Sequence, residues 1–304
     1  MRKAMLFTAA ALFSAAAASA NITYDARCVM LNLPAGGHVN IPFTLNQGEV
    51  IGFMTTPISN PANFSGPDTI AEMRSPADAL ITSNDDAGTD GIGAGTVGPV
   101  RGSMLRYRPL DGGNYNVRVR GFSAADAGVF TATYVRFTPG VPADFEDNDT
   151  ADDVPGGAND VGITGDGQAK LGFGTLTLND IDYYVINVTA GDVISAFTIP
   201  LGNLNTNFAA PDTLLSVRNP DGSILFQNDD AGADAIGLSS VGPTRGSTIR
   251  YQATVTGQVL LAVAGFSGSD VGNYALAVSV CNIPTPGAFG LMGLAGIAAL
   301  RRRR

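Results

Sequence analysis

The side chains best placed to do chemistry belong to two copies of one acidic triplet. Asn84-Asp85-Asp86 and Asn228-Asp229-Asp230 each precede a glycine-rich stretch. Asn and Asp side chains bond to nearby backbone and favour turns. The first interpretation is therefore a structural turn, pinned by the arginine and serine that follow each triplet: Arg101 and Ser103, or Arg245 and Ser247. The carboxylates are also oxygen ligands that suit a cation, and this alternative stays open.

The sequence shows few of the residue patterns that are typical of a catalytic site. Its one histidine, His38, follows two glycines, and the chain has no Trp. No cysteine or second histidine lies near His38 in the sequence, so neither a catalytic triad nor a zinc site is visible. Paired acids could serve a glycosidase, but no aromatic-rich sugar cleft is indicated. The sequence therefore predicts that the protein is not an enzyme, with an unrecognised hydrolase as the weaker alternative.

The elements that must position the triplets occur twice. Residues 67–107 return as residues 211–251 at a constant offset of 144 residues, and the match extends through residues 121–130 and 265–274. A repeat of this length is a duplicated domain. Alternating Val, Ile, Thr and Tyr runs, broken by Gly, Asn, Asp and Pro, are typical of an all-β fold.

A pair of strands is predicted to open each repeat. Residues 40–45 and 49–55 flank the turn Asn46-Gln47-Gly48, and residues 183–188 and 192–199 flank a similar turn. Two alternating runs around a short glycine-containing turn indicate a β-hairpin. We therefore expect each pair to be hydrogen-bonded within one sheet.

Both ends of the chain resemble targeting segments. Residues 1–20 combine Arg2 and Lys3, an apolar run and Ala18-Ser19-Ala20, the pattern of a helical secretory signal peptide. The predicted division of the chain is a signal peptide, two β-domains and a sorting signal: residues 1–20, 21–140, 141–281 and 282–304. Repeat one and repeat two below are the two β-domains.

The C-terminal segment contains Pro284-Thr285-Pro286, an apolar run from Gly287 to Leu300, and four arginines. Fourteen apolar residues span about 21 Å as a helix, which is short of a bilayer core of about 30 Å. This order resembles the PEP-CTERM sorting signal of Gram-negative bacteria, although the motif reads Pro-Thr-Pro. The resemblance implies that a short apolar helix retains the chain transiently at the inner membrane until an exosortase processes it. The processed protein would then belong to the cell surface or the extracellular matrix.

Charge limits the choice of partners. The net charge is −9; loss of both predicted targeting segments removes six basic residues and leaves −15. Most of this charge lies in residues 141–281. Such a balance argues against nucleic acid and suits an exported protein or a cation binder.

The two cysteines, Cys28 and Cys281, lie near the two ends of the predicted mature chain. In an oxidising compartment they could form a disulfide between the first and last strands. Two buried free thiols are the alternative, because the sequence does not supply the geometry.

Residues 144–281 resemble the bacterial pre-peptidase C-terminal domain, called PPC. The similar motifs, in order, are Phe145-Glu146-Asp147-Asn148-Asp149-Thr150, Asn179-Asp180-Ile181-Asp182-Tyr183-Tyr184, Asp212-Thr213-Leu214, Asn228-Asp229-Asp230 and Gly272-Asn273-Tyr274. Repeat one has the later motifs and lacks the first two, so it resembles a reduced copy. The resemblance implies two tandem jelly-roll-like β-sandwiches.

The resemblance also implies a calcium site in repeat two, built from the acidic opening segment and the Asp-x-Asp pair. Its ligands here would be Glu146, Asn148, Asp149, Asp180 and Asp182. Calcium takes six to eight oxygen ligands, so the residue types agree. Solvated loop acids and Asx turns are the alternative, and repeat one should lack the site.

The function that these features predict is a structural or adhesive one. We expect an exported, non-catalytic protein that binds matrix polysaccharide, peptide or a neighbouring surface protein. Because PPC domains usually accompany a catalytic domain, an accessory module for a secreted protease is the alternative. Five arginines of repeat one could contact anionic polysaccharide or could be paired within the protein: Arg106, Arg108, Arg118, Arg120 and Arg136.

Overall fold

The computed structural model describes residues 24–59, 63–140, 145–146, 152–164 and 167–282. Nearly every element in these residues is a β-strand, as the alternating sequence pattern predicts. None of the described residues forms a helix that could cross a lipid bilayer. Both predicted targeting helices lie outside the described residues.

The described residues of repeat one form ten strands. Their bounds are β1 Tyr24–Leu33, β2 His38–Leu45, β3 Val50–Pro57, β4 Thr69–Arg74, β5 Leu80–Asn84, β6 Thr89–Ile92, β7 Gly95–Val97, β8 Met104–Arg108, β9 Gly113–Gly121 and β10 Gly128–Phe137.

The part of repeat two that the structure describes forms twelve strands and one short 3₁₀-helix, Pro155–Gly157. The strands are β11 Phe145–Glu146, β12 Asn159–Asp160, β13 Gln168–Leu176, β14 Ile181–Val188, β15 Asp192–Pro200, β16 Thr213–Arg218, β17 Ile224–Asn228, β18 Ala233–Ile236, β19 Ser239–Val241, β20 Thr248–Gln252, β21 Gly257–Gly265 and β22 Gly272–Asn282.

Each repeat is a sandwich of two sheets. In repeat one, strands β1-β10-β3-β8 face strands β2-β9-β4-β5; in repeat two, β11-β13-β22-β15-β20 face β12-β14-β21-β16-β17. Two apolar clusters fill the spaces between these pairs of sheets. Strand β2 alternates exposed and buried residues because only one of its faces meets the core.

The predicted opening hairpins are wrong. Strand β2 pairs with β9 and strand β3 pairs with β10 and β8, so the turn at Asn46-Gln47-Gly48 carries the chain from one sheet to the other. Strands β14 and β15 are divided between sheets in the same way. A period of two shows which face of a strand is buried, but it does not show which strand is the hydrogen-bonding partner.

The glycine-rich stretch after each acidic triplet forms a small hairpin that joins the sheet of the other repeat. We call residues 87–100 and 231–244 the arms. In the first arm, β6 pairs in parallel with β20, with Asp90 opposite Arg250. In the second arm, β18 pairs in parallel with β8, with Asp234 opposite Arg106. Each sandwich is therefore extended by strands of its neighbour.

The two repeats share a third apolar cluster. Gly52 of β3 packs tightly against this cluster, since a Cβ atom there would lie 2.4 Å from the Phe197 ring of β15. Buried hydroxyl pairs cross the same interface, from Thr56 to Ser195 at 2.7 Å and from Thr133 to Ser279 at 2.6 Å. This interface explains why all eight residues of β3 and all nine of β15 are buried.

A buried arginine fastens each arm. The Arg250 side chain is fully buried and donates to the backbone carbonyls of Thr55 at 2.7 Å and Ala87 at 2.6 Å, and to the Asp90 carboxylate at 3.0 Å. The equivalent Arg106 bonds to Thr198, Ala231 and Asp234 in the same pattern. Burial raises the pKa of Asp90, whereas the Arg250 charge acts to lower it.

Cys28 of β1 and Cys281 of β22 form a disulfide across the two repeats. The bond joins the first described strand of the chain to the last. Together with the arms, it makes the two repeats one connected unit, rather than two sandwiches joined only by a linker.

Residues 152–161 explain why the outer face of β21 is apolar. Leu260 and Ala262 are buried with Tyr183 against Ala158, and the Tyr183 amide donates to the carbonyl of Asp152. The joining segment of the chain therefore covers this face. No described residue covers the equivalent face of β9 in this way, and that face carries Arg118 and Arg120, which pair with Asp78 and Glu72.

Candidate functional site

One end of each sandwich carries a cluster of three carboxylates. In the repeat-one cluster, Asp68 precedes β4, while Asp85 and Asp86 follow β5. Strands β4 and β5 are antiparallel neighbours, so the start of one meets the end of the other. One carboxylate oxygen from each residue lies within 4.8 Å of the others. Asp212, Asp229 and Asp230 form the equivalent repeat-two cluster.

The triplets are pinned by the strand that follows each arm. The Asn84 side-chain oxygen accepts from the Met104 amide at 2.9 Å, and the Ser103 hydroxyl donates to the Asp85 carbonyl at 2.8 Å. In repeat two, Asn228 accepts from Thr248 and Ser247 donates to the Asp229 carbonyl. The sequence-based interpretation of a turn held by the downstream serine is therefore confirmed.

The downstream arginine has a different partner from the triplet. Arg101 pairs with Asp68 at 2.5 Å, and Arg245 pairs with Asp212. Each ion pair links the start of a central strand to the end of an arm. Each triplet lies where the arm begins, and the arginine lies where it ends. A cluster and its arginine therefore hold both ends of that arm in place.

The clusters carry more negative charge than their arginines neutralise. Burial raises the pKa of Asp68 to about 6; Arg101 opposes this shift, and the nearby Asp86, Asp85 and Asp126 add to it. Burial also raises the pKa of Asp85 and of Asp229, in each case with a contribution from the adjacent aspartate of the triplet. These carboxylates would gain from a proton, a cation or a hydrogen-bond donor.

Four carboxylate oxygens of the clusters would likewise gain from a proton, a cation or a hydrogen-bond donor. Among the described residues, the Oδ1 atoms of Asp68, Asp85, Asp212 and Asp229 are buried and have no hydrogen-bond partner. They occupy equivalent places in the two repeats. A buried acceptor without a partner costs about 1–3 kcal/mol, so the repetition identifies these two clusters as candidate functional sites.

The backbone of an exposed phenylalanine adjoins each cluster. The Phe122 amide donates to the Asp68 carbonyl at 3.0 Å, and the Phe266 amide donates to the Asp212 carbonyl at 2.9 Å. The side chains are 62% and 61% exposed. Sequence reasoning missed these residues, although the repeated Gly-Phe-Ser sequence was the signal that could have found them.

The predicted calcium ligands fall partly within the described residues. Asn148 and Asp149 lie outside them, and of Glu146 only the backbone is described, in a parallel pairing of β11 with β13. Asp180 and Asp182 lie together at the start of β14. The Asp180 carboxylate accepts from the Thr177 amide at 2.8 Å, and Asp182 accepts from the Tyr274 hydroxyl at 2.5 Å. The five-residue site therefore stays a prediction.

The arginines of repeat one are engaged within the protein. Arg118 pairs with Asp78 and Arg120 with Glu72. Arg106 is fully buried against repeat two, so its prediction as a surface contact for polysaccharide is wrong. Arg108 and Arg136 donate to the backbone carbonyls of Leu204 and Thr44. The alternative of intramolecular pairing describes this set better.

Comparison with known proteins gives little beyond the fold. No protein family matches the chain, and no curated protein sequence does. A periplasmic inhibitor of g-type lysozyme from Aeromonas hydrophila is 14% identical, with a TM-score of 0.27, over 40% of this chain and 95% of that chain. Tandem CBM51 modules of a family 98 glycoside hydrolase from Streptococcus pneumoniae are 10% identical, with a TM-score of 0.25, over 84% of each chain.

A tandem CBM22 domain from Paenibacillus barcinonensis is 11% identical, with a TM-score of 0.22, over 87% of this chain and 93% of that chain. At these scores the similarities identify neither a family nor a ligand. The class that the fold and the clusters define is an all-β protein of two sandwich repeats, each with a carboxylate cluster at one end.

Proposed function

We propose that this chain is an exported, non-catalytic binding protein that holds a polysaccharide of the cell surface or extracellular matrix at two similar sites. The observation that carries the proposal is the repeated placement of an exposed phenylalanine beside a carboxylate cluster. Phe122 adjoins Asp68, and Phe266 adjoins Asp212. Both phenylalanines are more than half exposed, and both repeats have one at this place although the neighbouring loop sequences differ.

The chemistry of the site favours a sugar chain as the ligand. Sugar hydroxyls donate hydrogen bonds, and the buried Oδ1 atoms of the clusters are acceptors without a partner among the described residues. The apolar face of a pyranose ring suits an exposed phenyl ring. Binding sites commonly combine apolar or aromatic contacts with a few placed polar groups, and two linked sites on one repetitive ligand strengthen binding through effective concentration.

Export is supported by the bond between Cys28 and Cys281, since disulfides persist mainly in oxidising compartments. The proposal includes a signal peptide at residues 1–20 and a tail at residues 282–304 that holds the chain at the inner membrane until an exosortase removes it. The mass of the protein recovered from the medium or cell surface tests both processing steps.

Calcium is the cofactor that we propose for repeat two. Its ligands would be Glu146, Asn148, Asp149, Asp180 and Asp182. The placement of Asp180 and Asp182 at one end of the sandwich supports the proposal. The ion would screen two acidic segments from each other and tighten the start of β14.

Binding to immobilised matrix polysaccharides, with and without calcium, tests the proposed function. Phe122→Ala and Phe266→Ala should each lower the apparent affinity at least tenfold, because linked sites together exceed a single site by roughly 10²–10⁴-fold. The double variant should lose binding. Val255→Ala is the matched control, since Val255 is 68% exposed and neither cluster bonds to it in the described structure.

Unchanged polysaccharide binding by the double variant would overturn the assignment of the site. If no polysaccharide in the panel binds while the chain retains a surface protein, the proposed ligand class is wrong; if it retains a secreted protease or another exported enzyme instead, the accessory-module alternative is favoured. Turnover of any of these ligands by the protein would overturn the non-catalytic proposal.

A further inference from the structure

The surface that joins the two repeats has two different halves. Repeat one offers Gly52, which leaves space for the Phe197 ring of repeat two. Residues 49–55 align with residues 192–198, one residue out of the offset of 144 that holds from residue 67 onwards. In this alignment Ser195 of repeat two matches Gly52, and Met54 of repeat one matches Phe197. The interface is therefore built for one repeat of each kind.

Pairing of like repeats would lose this fit. If two copies of repeat two met in the same way, the Cβ atom of Ser195 would stand where a Cβ atom on Gly52 would stand, 2.4 Å from the phenyl ring. If two copies of repeat one met, the Gly52 space would receive the thinner Met54 side chain. Overpacking and unfilled space are both destabilising in a packed core.

The arms make the same interface strong. Each arm adds strands to the opposite sheet, and each places an aspartate against a buried arginine: Asp90 with Arg250, and Asp234 with Arg106. None of these contacts requires the two repeats to belong to one polypeptide. A surface that pairs two different patches closes within one molecule, or joins molecules head to tail when it does not close.

We propose that this interface also joins separate copies of the chain, with repeat one of one copy held by repeat two of the next. The disulfide between Cys28 and Cys281 selects the closed form, because it ties the two repeats of one copy together across the interface. Chains that fold before this bond forms can exchange repeats and assemble. The assembly does not depend on the polysaccharide site.

Concentration sets the competition between the two forms. Within one chain, residues 138–144 connect β10 of repeat one to β11 of repeat two, so the effective concentration of the repeats is on the order of millimolar. A native, dilute chain therefore closes on itself. When the reduced chain is refolded from denaturant at a protein concentration comparable to this effective concentration, the joined form should be populated.

Two full-length variants give a direct test of head-to-tail pairing. Cys28→Ser keeps a thiol in repeat two only, and Cys281→Ser keeps a thiol in repeat one only. The variants carry different isotope labels, are mixed in denaturant, refolded together at high concentration and then oxidised. In the joined form, Cys281 of the first variant lies beside Cys28 of the second, as in the closed chain.

The expected product is a disulfide-linked pair of unlike chains, at least tenfold in excess over like pairs. Random oxidation would instead give as many like pairs as unlike pairs, and that result would overturn the proposal. Recovery of only folded monomers with free thiols would overturn it too. Circular dichroism and thermal melting confirm that both variants fold, and the unaltered chain, oxidised before concentration, should remain monomeric.

Discussion

Replacement of Arg250 by methionine tests whether the exchanged arms hold the two repeats together. The Arg250 guanidinium and the Asp90 carboxylate are 0% and 1% exposed and lie 3.0 Å apart. Methionine keeps much of the side-chain volume but leaves Asp90 buried without its cation. Removal of one partner from a buried ion pair costs about 3–5 kcal/mol. We therefore expect Arg250→Met to lower the free energy of unfolding by that amount.

Urea titration of the full chain is the assay, with the free energy extrapolated to water. The matched control is Arg27→Met, since Arg27 is 54% exposed and pairs with Asp25 at the surface. Exposed pairs contribute about 0–1 kcal/mol, so this variant should remain close to the unaltered protein.

A second variant separates the ion pair from the arm itself. In the double variant Asp90→Leu/Arg250→Met, an apolar pair replaces a charged one, and such replacements are often neutral in stability. We expect it to recover most of the loss. If Arg250→Met lowers the free energy of unfolding by less than about 1 kcal/mol, the reasoning is refuted, because a buried carboxylate without its cation should destabilise the fold by more than that.

The remaining predictions concern charge at the clusters. The folded pKa of Asp68 is raised to about 6, so the contribution of its protonated form to stability is fully present below the unfolded pKa of about 3.9 and is lost as the pH rises through about 6. Asp68→Asn should flatten this part of the curve of stability against pH. An unchanged slope would contradict the assignment. Calcium should raise the melting temperature, since a ligand of the folded state stabilises it. Loss of this shift in Asp180→Asn supports the five-residue site, loss only in Asp212→Asn places the ion at the repeat-two cluster, and the absence of any shift at millimolar calcium refutes calcium binding.

The sequence was sufficient to predict the all-β fold, the duplication and the turn at each acidic triplet. These features depend on local pattern: alternating burial, repeated spacing, and the preference of Asn and Asp for turns. The predicted strand run at residues 40–45 lies within β2, and the run at residues 49–55 lies within β3 except for Glu49. Their pairing was mistaken because partner choice is decided by strands more than 60 residues away in sequence.

The exchange of arms could not be predicted in the same way. The glycine-rich stretches have the composition of a loop, and they become strands only because β20 and β8 of the opposite repeat supply the hydrogen-bonding edge. The meeting of Asp68 with Asp85 and Asp86 depends likewise on the pairing of β4 with β5. The sequence indicated the candidate residues, whereas long-range packing determined which of them meet.

The clusters and the exchanged arms are two parts of one continuous segment in each repeat. Asp86 belongs to the repeat-one cluster, and its charge adds to the raised pKa of Asp90, which pairs with Arg250 of the other repeat. Asp230 acts on Asp234 in the same way. A cation or hydrogen-bond donor at a cluster reduces this unfavourable charge next to the buried pair. We therefore expect a cation bound at either cluster to stabilise the nearby buried pair, Asp90 with Arg250 or Asp234 with Arg106.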